Sequence, residues 1–60
     1  MKVSELKKLL RKCGCKIVRH GSSHDIWYSK KTGKTFSVPR HNSKEVATGT
    51  YDRIKKDAGF

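Results

Sequence analysis

His24-Asp25-Ile26-Trp27-Tyr28-Ser29-Lys30-Lys31-Thr32-Gly33-Lys34-Thr35-Phe36-Ser37-Val38-Pro39 is the stretch that decides the fold. Its first six residues hold Ile, Trp and Tyr together, a combination that favours extended chain. Its end alternates, with Phe36 and Val38 on one face and Thr35 and Ser37 on the other. Between them, Lys30 to Lys34 contains no apolar residue and offers Gly33 for a positive φ. The spacing predicts strands over about His24–Ser29 and Thr35–Val38, joined by a hairpin turn. Pro39 cannot donate to a ladder and suits the strand end. Trp27 and Tyr28 are consecutive, so one belongs to a core and the other to an outer surface.

Working outward, Gly21-Ser22-Ser23 is a second turn, and Cys15–His20, with Ile17 and Val18, reads as the first strand. Further upstream, Val3, Leu6, Leu9, Leu10 and Cys13 fall on one face at about 100° per residue, with Lys7, Lys8, Arg11 and Lys12 on the other. That pattern predicts a helix capped by Ser4, running to about Cys13 and stopped by Gly14. Downstream, Ser43 is expected to cap a short turn through Val46. A second helix then covers roughly Thr48–Ala58, with Ala47, Thr50, Tyr51, Ile54 and Ala58 in one stripe and Gly59 at its end. Three short antiparallel strands cannot cover both of their own faces. The expected architecture is therefore a small α+β domain, αβββα, with both helices on one face of a three-stranded antiparallel sheet.

The chain has 60 residues, 15 Lys or Arg against 5 Asp or Glu, and a net charge of +10. That length rules out two lobes closing on a site and predicts one domain over residues 1–60 with a thin core. No run approaches the roughly 20 apolar residues of a membrane span. The amino terminus lacks the apolar block of a signal peptide, so a cytoplasmic protein with no membrane partner is expected. Cys13 and Cys15 are too close to staple distant segments and read as reduced thiols, at least one of them in the core. The charge is concentrated: residues 6–44 hold eleven basic side chains and a single acid, Asp25. Such a surface favours a polyanion, because each phosphate contact releases condensed counterions.

His20-Gly21-Ser22-Ser23-His24 is where chemistry is expected. A turn followed at once by an imidazole presents that ring at a strand end, held by the scaffold yet reachable, and His is the side chain suited to moving protons near neutrality. RNA brings its own nucleophile, the 2′-hydroxyl, so one imidazole and a few cations suffice to cleave it without metal or other cofactor. Cys13, Cys15, His20, His24 and His41 are potential zinc ligands, but the one-residue Cys spacing and the missing second ligand pair do not fit. Asp25, alone amid cations, makes no magnesium site.

Taken together, Gly21-Ser22-Ser23-His24-Asp25-Ile26-Trp27, Phe36-Ser37-Val38-Pro39-Arg40-His41 and Gly49-Thr50 opening a helix that ends Ala58-Gly59 resemble the HicA toxin family, also called YcfA-like. The resemblance spans essentially the whole chain. It implies an mRNA interferase with a fold like double-stranded-RNA-binding domains, acting as the toxin of a type II toxin–antitoxin pair. It places the catalytic histidine at His24 and implies a HicB-type antitoxin that covers the active site. Gly21, Ser22, Ser23, Lys7, Lys8, Arg11, Arg19, Lys30, Lys31, Lys34 and Arg40 are the candidates for binding RNA and offsetting transition-state charge. The chief alternative is a non-catalytic double-stranded-RNA-binding module. Such domains place a Lys cluster at the start of the last helix, whereas Lys55 and Lys56 stand at its other end.

Overall fold

The computed structural model describes residues 1–60. It contains α1 (Val3–Lys12), β1 (Cys15–His20), β2 (His24–Ser29), β3 (Thr35–Pro39) and α2 (Thr48–Ala58), in that order. The sheet is antiparallel with strand order β1-β2-β3. Trp27 faces Phe36, and Asp25 faces Val38, so these residues share one side of the sheet. On that side Cys15, Trp27, Phe36 and Val38 join Leu6 and Leu10 of α1 and Ile54 and Ala58 of α2 in one buried cluster. Both helices therefore lie on the same face, and the αβββα architecture expected from the alternation is the one observed. Removing each large aliphatic side chain from water stabilises the fold by about 1.5–3 kcal/mol, and few such side chains are present.

The Trp27–Tyr28 pair divides as periodicity requires: Trp27 is buried and Tyr28 half-buried on the far side. The Arg11 guanidinium lies over the Trp27 ring, 5.5 Å from its centroid, while the indole Nε1 has no acceptor. The register slips between Ile17 and Arg19. This bulge leaves Val18 exposed and turns Arg19 outward opposite Ile26. Cys15 is the core cysteine, and burial pushes its thiol up, which leaves it a packing group rather than a nucleophile.

Two local expectations are corrected. The N-cap of α1 is Lys2, not Ser4, which sits inside the helix without capping it. The helix starts two residues earlier than a Ser4 cap allows: Leu6 N, an amide such a cap would have served, donates to the Lys2 carbonyl, while Val3 N donates to the Lys44 carbonyl at 2.9 Å and Ser4 N to the Asn42 carbonyl at 3.1 Å. Glu5 Oε1 accepts from Lys2 N. The Ser43-capped turn is the second correction. A turn closes from Lys44 N to the His41 carbonyl, after which Glu45 pairs antiparallel with Lys2 and Val46 N donates to the Met1 carbonyl. Residues 41–47 thus form the bracket that holds the start of α1. Lys7 Nζ completes it by donating to the Arg40 carbonyl and Asn42 Oδ1.

The other end of the molecule is latched by hydroxyls. Ser29 Oγ, fully buried, donates to the Ala58 carbonyl at 2.8 Å, and Thr32 Oγ1 donates to the Asp57 carbonyl. The β2–β3 turn therefore satisfies carbonyls that the last turn of α2 cannot bond internally. Gly59 closes the helix with φ +88°, as its sequence position predicts.

Candidate functional site

The β1–β2 turn carries the site. Gly21 N donates to the His24 carbonyl at 2.8 Å, closing the turn around Ser22 and Ser23. A Cβ built on Gly21 would stand 2.6 Å from that same carbonyl oxygen, so glycine is required by close approach rather than by backbone angle. His24 follows as the first residue of β2, paired with Pro39. Its side chain is exposed, and its Nδ1 lies 3.0 Å from Ser23 Oγ. A hydroxyl can accept from Nδ1–H or donate to bare Nδ1. In either case the contact restrains the ring and leaves Nε2 free of that partner.

Beneath the turn lies Asp25, with its side chain 5% exposed. Its Oδ1 accepts from His20 Nδ1 at 2.9 Å, from Arg40 Nε at 3.1 Å and from Arg40 Nη2 at 2.9 Å. The Arg40 hydrogen bonds, followed by that of His20, hold the Asp25 carboxyl below its usual range. Arg40 also reaches the turn itself: Nη1 donates to the Ser22 carbonyl, Nη2 to the Gly21 carbonyl, and its backbone N to the Ser23 carbonyl. Chain leaving β3 is thereby tied to every residue between His20 and His24.

Some of the expected site residues come together and others do not. Gly21, Ser22, Ser23, His24 and Arg40 form one cluster. Lys7 is near it, but its ammonium is engaged by Arg40 and Asn42. Arg11 is stacked on Trp27, and Lys8 and Arg19 are exposed. Lys30, Lys31 and Lys34 sit beyond the opposite end of β2, whose span from His24 to Ser29 is about 17 Å at 3.4 Å per residue. A groove of about 440 Å³ runs from His24 along β3, lined by Ser37, Pro39, Lys44, Thr50 and Arg53 among others. Lys44 and Arg53 were not among the expected binding residues. No set of three or more His, Cys, Asp or Glu side chains converges anywhere in the molecule, so the zinc candidates do not assemble a ligand cage.

Asp25 and His20 are the residues that reading along the chain missed. The signal was present: position 25 shares strand parity with Trp27 and Ser29, which places a lone acid on the buried face. A buried carboxylate needs partners. What no spacing rule supplies is that the partner would be Arg40, from beyond the next strand.

No helix is long and apolar enough to cross a membrane. The sequence model of the family described as the HicA toxin of bacterial toxin-antitoxin matches residues 3–60. No curated protein and no solved structure matches the chain.

Proposed function

The chain belongs to the HicA toxin family of bacterial toxin–antitoxin systems, and from that premise we propose that it is a metal-independent endoribonuclease whose catalytic group is His24. The observation that carries this reading is an exposed imidazole at the head of β2, held through Nδ1 by Ser23 and presented by a braced turn. The one carboxylate beneath the turn, Asp25, is occupied by Arg40 and His20, which suits a reaction whose nucleophile comes from the substrate.

In the proposed reaction, bare Nε2 of His24 takes the proton of a ribose 2′-hydroxyl while Nδ1–H donates to Ser23 Oγ. The 2′-oxygen then forms a bond to the adjacent phosphorus, and the bond to the 5′-oxygen breaks. That leaving oxygen takes a proton from the imidazolium or from water. The products are a 2′,3′-cyclic phosphate and a 5′-hydroxyl, with no redox change and no metal required. Cations flanking the groove, Lys44 and Arg53, and the exposed Lys8, Arg11, Arg19, Lys30, Lys31 and Lys34 hold the phosphate backbone. A single imidazole in an open site gives a slow enzyme, turning over at about 1 s⁻¹ or below. The substrate is mRNA and the physiological partner is a HicB-type antitoxin that covers His24.

The test is cleavage of a defined RNA by the wild type and by His24→Ala, with end-group analysis of the fragments and a matched strand carrying 2′-deoxyribose. His24→Ala is expected to bind RNA without cutting it, and the deoxy strand to stay intact. Equal cleavage by His24→Ala, or cleavage of the deoxy strand, overturns the assignment. Tight RNA binding with no cleavage by the wild type would favour the double-stranded-RNA-binding module instead.

A further inference from the structure

The Asp25–Arg40 pair is the largest concentration of charged hydrogen bonding in the molecule: it satisfies a buried carboxylate and also reaches the β1–β2 turn. A guanidinium has five N–H donors, and Arg40 uses four bonds, all on Asp25, Ser22 and Gly21. Its own backbone amide adds Ser23. The carboxylate is nearly inaccessible, while the arginine side chain is 41% exposed. Desolvating such a pair largely cancels its Coulombic gain, so stability alone is a poor reason to keep it. What the pair supplies is geometry: at β3's exit the guanidinium fork grips Gly21 and Ser22 and the backbone amide grips Ser23, bracing a turn otherwise closed only by the Gly21 N–His24 carbonyl bond.

Resting on the nuclease reading above, we infer that Asp25 and Arg40 are positioning residues that aim His24 at the substrate, and that Arg40 does not bind phosphate. The line of action is continuous. Asp25 orients the guanidinium, the guanidinium and amide of Arg40 fix the carbonyls of Gly21, Ser22 and Ser23, and Ser23 Oγ holds His24 Nδ1. His20 caps the same carboxylate oxygen from outside, with its side chain 72% exposed. With four N–H groups already directed inward, Arg40 has one left for any ligand, too few for the bidentate grip that makes arginine a strong phosphate binder.

A phosphate-binding arginine and a positioning arginine respond differently to Arg40→Lys. Lysine keeps the charge but loses the fork. Positioning predicts a fall of tenfold or more in single-turnover cleavage, since sub-ångström misplacement of a reacting group costs up to about 10²-fold. Affinity for a strand blocked at its 2′-hydroxyls should stay within about twofold, with the same salt slope. Asp25→Asn should reproduce the cleavage defect, and the double variant should be no worse than the worse single one, because both act through one device. Should either variant fold poorly, Asp25→Leu/Arg40→Met removes both charges together, which leaves neither orphaned. That variant is expected to fold, bind RNA and cut slowly, with an altered His24 imidazole signal by heteronuclear NMR.

Wild-type cleavage by Arg40→Lys, or by the Leu/Met pair, overturns the inference. So does weakened binding with a salt slope lowered by about 0.7, the signature of one lost phosphate contact on a single strand. His24→Ala keeps the two claims apart. If it abolishes cleavage while the Asp25 and Arg40 variants cut normally, the positioning role fails and the nuclease stands. If it cuts normally, the nuclease reading itself is wrong.

Discussion

Replacing Gly21 by alanine should disable the site while leaving the fold standing. The new Cβ would lie 2.6 Å from the His24 carbonyl oxygen, against the 3.0–3.4 Å of the tightest tolerated contacts. Backbone must therefore move by 0.4–0.8 Å, the difference between those distances, and the oxygen that moves belongs to His24 itself. The same oxygen accepts the turn-closing bond from Gly21 N at 2.8 Å, so relief of the clash stretches that bond. Loss of one such hydrogen bond at an exposed turn costs about 0.5–1.5 kcal/mol, which a small domain of about 5 kcal/mol survives. Under the proposed mechanism, a displacement approaching 1 Å at the His24 imidazole costs up to about 10²-fold in rate. Single-turnover cleavage of a labelled RNA should thus fall by ten- to a hundredfold, as an order of magnitude. Gly33→Ala is the matched control: its φ of +73° makes alanine strained, but open space surrounds it and it lies in the distant β2–β3 turn. That variant should lose about 1–2 kcal/mol of stability and cut RNA at the wild-type rate. Wild-type cleavage by Gly21→Ala, or equal rate losses in both variants, would refute the claim that turn geometry governs His24.

Ser29→Ala removes a fully buried hydroxyl and orphans the Ala58 carbonyl, so thermal unfolding should report a loss of about 1–3 kcal/mol. An unchanged midpoint would mean the α2 latch contributes nothing. Asp25 gives a pH signature. Its folded pKa is depressed by Arg40 and His20, so its contribution is fully present above the unfolded value, near 3.9, and is lost as pH falls below that toward the folded value. The melting temperature of the wild type should drop through this acid window more steeply than that of Asp25→Asn, and parallel curves would contradict the assignment.

Much of the site was legible in residue order and part was not, for a specific reason. The turn-borne His24 could be read locally, because Gly, Ser and His act there through neighbours one to three residues away. Asp25 could be recognised as buried by strand parity, but its partner comes from fifteen residues along the chain. Lys7 and Arg40 look like free cations in a basic stretch, yet each is engaged by backbone or side-chain acceptors that only folding brings near. Ser4 is not the cap for the same reason: the Lys44 and Asn42 carbonyls accept from Val3 N and Ser4 N and let the helix start two residues earlier, with Leu6 N on the Lys2 carbonyl.

Element order, strand alternation and the division of Trp27 and Tyr28 between core and outer surface were determined by the sequence alone, because each depends on spacing along a chain with periods near 2 and 3.6, and the concentration of positive charge is read from composition directly. Tertiary structure decided which cations remain free, what caps α1, which of the two aromatics enters the core, and how the turn before His24 is gripped. Those outcomes depend on packing and hydrogen bonds between segments far apart in the chain, and an unmet donor carries no mark of the acceptor it will find.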